Sequence, residues 1–136
     1  MSLIKIVECP RDALQGIKKW IPTKEKVSYL QSLLSVGFDI LDFGSFVSPY
    51  AIPQMKDTHQ VIESLDLSAS KSKLLAIVAN LRGAKQACEH SKICFLGYPF
   101  SISENFQMRN TNKTISDSIE ELKKIKDLAD RYEKKV

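Results

Sequence analysis

A guanidinium and a carboxylate stand side by side at Arg11-Asp12, just past an apolar run at residues 3–7. At a strand end such a pair can grip a substrate oxygen with the arginine and a divalent cation with the aspartate. It can equally solvate a loop or form an ordinary ion pair, because structural ion pairs far outnumber catalytic ones. Gln15, Asp42, Ser45, Asn80 and Ser103 offer further polar groups, each near the end of an apolar stretch. The bland role is open to them too: Asp42, Ser45 and Ser103 can bond loop amides, and Asn80 can cap a helix. Cys9, Cys88 and Cys94 make an odd set without CxxC spacing, so reduced thiols are expected rather than a disulfide framework or zinc site. His59 and His90 lie far apart and form no His-x-His or His-x3-His pattern. Each reads as a surface residue.

The elements that must position these groups follow from apolar periodicity. Strands are expected at 3–7, 38–43, 73–79 and 93–96, the third covered on both faces because its apolar run is nearly continuous. Helices are expected from Thr23 to Gly37, from Asp57 or Thr58 to Leu65, over 82–90, and from Thr114 through Tyr132. The last opens on Thr114 and Asp117, a capping-box pattern, and carries an apolar stripe from Ile115 to Tyr132. Arg11-Asp12, Ser45 to Pro49, Asn80 and Ser103 to Asn105 fall in the loops after the strands. Four strand–helix alternations without hairpin signals predict an α/β fold of parallel strands with right-handed crossovers. Ligand sites in such folds form at the carboxyl-terminal edge, so the candidate chemistry shares one rim. A flavodoxin-like open sheet would need five strands and a glycine-rich phosphate loop, and neither is visible.

Bulk properties narrow the classes. The 136 residues suit a single domain, 43% hydrophobic and 26% charged, as in soluble globular proteins. No apolar run is bilayer-length, and the first residues lack the pattern of a secretory leader, so a cytoplasmic chain without membrane contact is expected. The net charge of +4 gathers at Lys123, Lys124, Lys126, Lys134 and Lys135, among acidic residues. That mixture reads as a solvated helix face and not as a nucleic-acid stripe.

Taken together, Pro10-Arg11-Asp12-Ala13-Leu14-Gln15, Ser45-Phe46-Val47-Ser48-Pro49, Pro53-Gln54-Met55, Asn80 with Gly83, and Ser103-Glu104 with Phe106 resemble the hydroxymethylglutaryl-CoA lyase family. The blocks occur in the family's order and spacing. The resemblance implies the first half of a TIM barrel, about four βα units, as one half-barrel domain over 1–136. It also implies a carbon–carbon lyase that cleaves 3-hydroxy-3-methylglutaryl-CoA to acetyl-CoA and acetoacetate. In that chemistry a base takes the tertiary hydroxyl proton, the carbon–carbon bond breaks, and the thioester leaves as an enolate. By the same resemblance Asp12 is a metal ligand for Mg2+ or Mn2+, and Arg11 faces the thioester oxygen. Asp42 takes the place of the glutamate in the family's Asp-Arg-Glu trio. Gln15, Ser45, Asn80 and Ser103 fall to the acyl-CoA substrate.

The departures are specific. Ala13 replaces a usual glycine, Ile17 an acidic residue and Asp42 a longer glutamate, while Glu8 matches a strand-end glutamate only after a slip of one residue that turns it to the other face. The family's His-x-His ligands, asparagine ligand and catalytic cysteine loop belong to the second half of the barrel. This half by itself is therefore expected to be a poor catalyst, and a homo-oligomer or a complementing second barrel half is the expected partner. The rival expectation is a non-catalytic α/β half-barrel with a binding or assembly role.

Overall fold

The computed structural model describes residues 4–136. The chain runs β1 (Val7–Glu8), α1 (Pro10–Gln15), α2 (Thr23–Val36), β2 (Ile40–Ser45), a 3-10 turn (Pro53–Met55) and α3 (Thr58–Ser64). It continues through β3 (Lys73–Ile77), α4 (Leu81–Cys88), β4 (Ile93–Gly97), α5 (Glu104–Thr111) and α6 (Ile115–Arg131). The four strands form one parallel sheet in the order β1-β2-β3-β4, as the alternation predicts.

One core lies between this sheet and its helices. Leu41 and Phe43 of β2, Leu74 and Ala76 of β3, and Ile93 and Leu96 of β4 meet Leu30 and Leu34 of α2, Val61 and Ile62 of α3, Ala84 and Ala87 of α4, and Ile125 and Ala129 of α6. The other sheet face carries Leu75, Ile77 and Phe95, which are only half-buried. The expectation of a third strand covered on both faces is corrected: a doubly wound sheet has helices on both sides, whereas half a barrel leaves its lumen face open. The tail then turns back beside β4. Leu96 N–H donates to Lys135 O at 2.8 Å and Lys135 N–H to Cys94 O at 3.0 Å, in parallel register, where a next barrel strand would lie.

Several boundaries move for physical reasons. The first strand is Val7–Glu8 rather than 3–7; Leu3 lies outside the described residues, and Ile4 and Ile6 are exposed. Pro10, whose ring presets a helical φ, starts the short helix α1 where a loop was expected. Likewise α5 occupies a stretch expected to be a polar loop, because Ser103 caps it by accepting from Phe106 N–H. Gly37 ends α2 as predicted, in the left-handed conformation at φ 88°. Thr114 and Asp117 form the expected capping box on α6. The stripe on α6 is narrower than expected: Ile119 and Tyr132 are exposed, and the buried line runs through Ser118, Ile125 and Ala129. Gln107 of α5 explains the polar member of that line, donating to Ser118 Oγ at 2.7 Å. Lys134 departs from the expected solvated face as well, being buried with its ammonium on the carbonyls of His90 and Ile93.

Candidate functional site

Four of the residues singled out by sequence converge between α1, which follows β1, and strand β2. Asp42 sits within β2 rather than at its end and is 3% exposed. Its carboxylate accepts from Arg11 Nε at 3.2 Å on each oxygen and from Arg11 Nη2 at 2.6 Å. This fork fixes the plane of the guanidinium. The remaining arm, Nη1, donates to Gln15 Oε1 at 3.0 Å and Asp12 Oδ1 at 3.2 Å. Burying a carboxylate raises its pKa and a neighbouring cation lowers it. For Asp42 burial outweighs Arg11, and the carboxyl titrates above its ordinary 3.8. Cys9, next to the pair, has its thiol pushed up by partial burial and then by Asp42, so it is no activated nucleophile.

A bulge in β2 shapes the rim. The register slips between Asp42 and Gly44, which sets Asp42 beside Leu75 and Ser45 beside Ile77, both on the half-buried lumen face. Strict alternation would send residues three apart to opposite faces. Glu8 stands in register with Leu41, on the helix side, in keeping with the slip noted in its sequence.

Ser45, Asn80 and Ser103 make no hydrogen bond to the Arg11 cluster. Ser45 Oγ donates to Ile77 O at 3.3 Å. Asn80 caps α4, its Oδ1 accepting from Gly83 N–H at 2.9 Å, and Ser103 caps α5. Ser45 and Asn80 do share a rim hollow of about 340 Å³ with Ser48, Lys56, His59 and Arg82. A larger hollow of about 570 Å³ opens at the opposite sheet edge, among Lys73, Cys88, Cys94 and Tyr132, and contains none of the predicted residues.

Sequence reasoning missed two constellations. His59 Nδ1 and His90 Nε2 lie 2.8 Å apart, with Phe46 packed on both rings, so the two histidines are partners and not separate surface residues. Burial and then His59 pull His90 below its ordinary 6.5. The second is a buried ion pair between Lys26 and Asp57, 2.7 Å apart. Asp57 also accepts from Thr23 Oγ1 at 2.7 Å, so neither Thr23 nor Asp57 caps a helix as expected. A buried ammonium needs a counter-charge more than a helix end needs a cap.

The donor set does not make a metal site. Among the described residues no three His, Cys, Asp or Glu side chains are grouped to hold an ion. Asp12 is alone, its side chain 70% exposed and one oxygen engaged by Arg11. A divalent ion takes about six ligands. These residues by themselves do not fit one.

No family model matches the chain. It is 35% identical over 119 residues to the mitochondrial hydroxymethylglutaryl-CoA lyase of Arabidopsis thaliana, covering 87% of this chain and 25% of that protein. It is 31% identical over 134 residues to a 3-hydroxy-3-isohexenylglutaryl-CoA/hydroxymethylglutaryl-CoA lyase of Pseudomonas aeruginosa, covering 98% of this chain and 44% of that one. The names of such relatives include both mitochondrial and cytoplasmic forms. A solved lyase from Acinetobacter baumannii, in complex with coenzyme A and 3-methylmalate, superposes with a TM-score of 0.89 at 28% identity, over 98% of this chain and 43% of that one. The chain thus spans less than half the length of each of these proteins. In its sheet, and in sequence along nearly its whole length, the chain is similar to a half-barrel portion of these hydroxymethylglutaryl-CoA lyases.

Proposed function

We propose that this half-barrel supplies the enolate-stabilising side of a hydroxymethylglutaryl-CoA lyase site, and that Arg11 is the group that meets the thioester. The observation carrying this reading is the fork between Arg11 and the buried Asp42, with Gln15 holding the third nitrogen. An arginine fixed on three sides before substrate arrives needs little reorganisation when charge develops on a thioester oxygen. Asp42 aims the guanidinium, taking over the glutamate's position with a shorter side chain that still reaches Arg11. Gln15 keeps Nη1 turned toward the rim. Ser45 and Asn80 line the neighbouring hollow along which the rest of an acyl-CoA could extend, while Ser103 acts through the α5 cap. Asp12 is one exposed carboxylate that could join an ion's ligand set completed from outside these residues.

The partner in this reading is a second barrel half or another copy of the chain. The half-buried lumen face supports it, since that surface is covered in closed barrels. A cytoplasmic setting fits the reduced cysteines and the relatives named cytoplasmic. The test is acetoacetate release from 3-hydroxy-3-methylglutaryl-CoA, with and without the carboxyl-terminal half of the Pseudomonas aeruginosa lyase added. Turnover that needs both halves and disappears with Arg11→Met is expected. Binding of the added half with no turnover would favour the non-catalytic module instead.

A further inference from the structure

We infer that Gln54, backed by Lys26 and Asp57, positions Arg11 by clamping the loop that follows α1; this rests on the reading of Arg11 given above. The helix bearing Arg11 and Gln15 is only six residues long, and Cys9 at its start supplies no side-chain cap. A helix so short does not hold itself. Two buried side chains, Pro10 and Leu14, anchor it. The loop leaving it is held from outside. Gln54 Nε2 donates to Ile17 O and to Lys19 O, each at 2.8 Å, and Gln54 Oε1 accepts from Ile21 N–H at 3.2 Å. One carboxamide thus secures three backbone groups within five residues of the loop.

The main chain of Gln54 is itself held in place. Lys26 Nζ donates to the backbone carbonyl of Gln54 at 2.5 Å and to Asp57 Oδ1 at 2.7 Å, and lies 3.8 Å from the centre of the Trp20 ring. Gln54, Lys26 and Asp57 are all buried, and every buried side-chain polar atom among the described residues has a partner. A satisfied buried network of this kind rigidifies what it touches, and half-satisfied it is worse than an apolar core. The clamp ends two residues from Gln15, which holds Arg11 Nη1. The Pro53-Gln54-Met55 block therefore has a job beyond packing: it sets where the first loop, and through it the guanidinium, points.

The test uses the 136-residue chain labelled with 15N, reading amide exchange at Ile21 and the Arg11 Nε–H resonance. Gln54→Met keeps the side-chain length and removes all three hydrogen bonds. Exchange at Ile21 is expected to rise about tenfold, the effect of one ordinary hydrogen bond. The Arg11 resonance is expected to move as its fork loosens, while the amide of Val78 stays unchanged. Gln54→Glu serves if the first variant fails to fold: it keeps the acceptor for Ile21, loses both donated bonds, and should shift Arg11 while leaving Ile21 protected. An Arg11 resonance unmoved in the variants that fold, or an Ile21 amide unaffected by Gln54→Met, overturns the proposal. Neither readout involves a thioester. Failure to bind acyl-CoA would count against the proposed function and leave the clamp standing.

Discussion

Replacing Arg11 by methionine tests whether the Arg11–Asp42 fork is a buried interaction or a decorative one. Asp42 is 3% exposed, and among the described residues only Arg11 donates to its carboxylate. Without the guanidinium the carboxylate is left charged and unpartnered. Removing one member of a buried pair typically costs 3–5 kcal/mol. Arg11 retains some exposure and water can reach the gap, so the lower end applies, about 3 kcal/mol at pH 7. For a domain of this size that is a fall in Tm of roughly 10 °C. Asp42→Asn should cost less, about 1–2 kcal/mol, because Arg11 keeps Gln15, Asp12 and solvent. The pH dependence has a definite sign. Asp42 already titrates above 3.8 in the folded chain, and losing Arg11 raises it further. The folded state then binds the proton more tightly than the unfolded chain does, so the penalty of Arg11→Met is largest above the folded pKa. It shrinks as pH falls toward 3.8 and the carboxyl becomes neutral. Urea unfolding at pH 7 and pH 4 reads both quantities. A loss below about 1 kcal/mol that is the same at both pH values would refute the reasoning, because a solvated surface pair behaves that way.

Three further perturbations follow from the same geometry. A methyl on Gly83 would stand 2.2 Å from Phe46 O, so Gly83→Ala must displace the loop after β2; a loss of about 2 kcal/mol is expected in thermal unfolding, and an unchanged Tm would show that the loop yields freely. Thr114→Ala breaks the capping box of α6 and should cost about 1 kcal/mol by urea titration, with Thr114→Ser recovering most of it. His90 titrates below 6.5, so the unfolded chain takes up the proton first, and its contribution to stability falls as pH drops from 6.5 through the folded pKa. That dependence should be weaker in His90→Gln, and a histidine NMR titration showing His90 at or above 6.5 would contradict the buried pair.

The parts of the fold that sequence made legible are those written in local patterns. Apolar runs marked β2, β3 and β4, the Thr114–Asp117 box marked the start of α6, and Gly37 marked the end of α2. The two helices that escaped, α1 and α5, are only six and eight residues long, and α5 is mostly polar, so neither shows a periodic stripe; only Pro10 and Ser103 announce them. Charge was misread at Lys134. Like Lys26 and Lys92, it sends its ammonium group to backbone carbonyls, and residue type alone does not distinguish that from a solvated face.

Three side-chain pairs that no local pattern announces share one cause, and it is in the topology. Arg11–Asp42, Lys26–Asp57 and His59–His90 are each separated by 31 residues. In the sheet, Val7 pairs with Ile40 and Ile40 with Lys73, a spacing of 33 in both cases. In a parallel repeat each residue lies beside its counterpart in the next unit, so polar groups about one repeat apart become neighbours although nothing local links them. Reading the histidines for His-x-His patterns tested only local ligation, and reading Thr23 and Asp57 for caps tested only their own helices. The strand spacing carried the missing information. Once four strands are recognised as parallel, the first pairs to compare are those one repeat apart, which join Arg11 to Asp42 and Lys26 to Asp57.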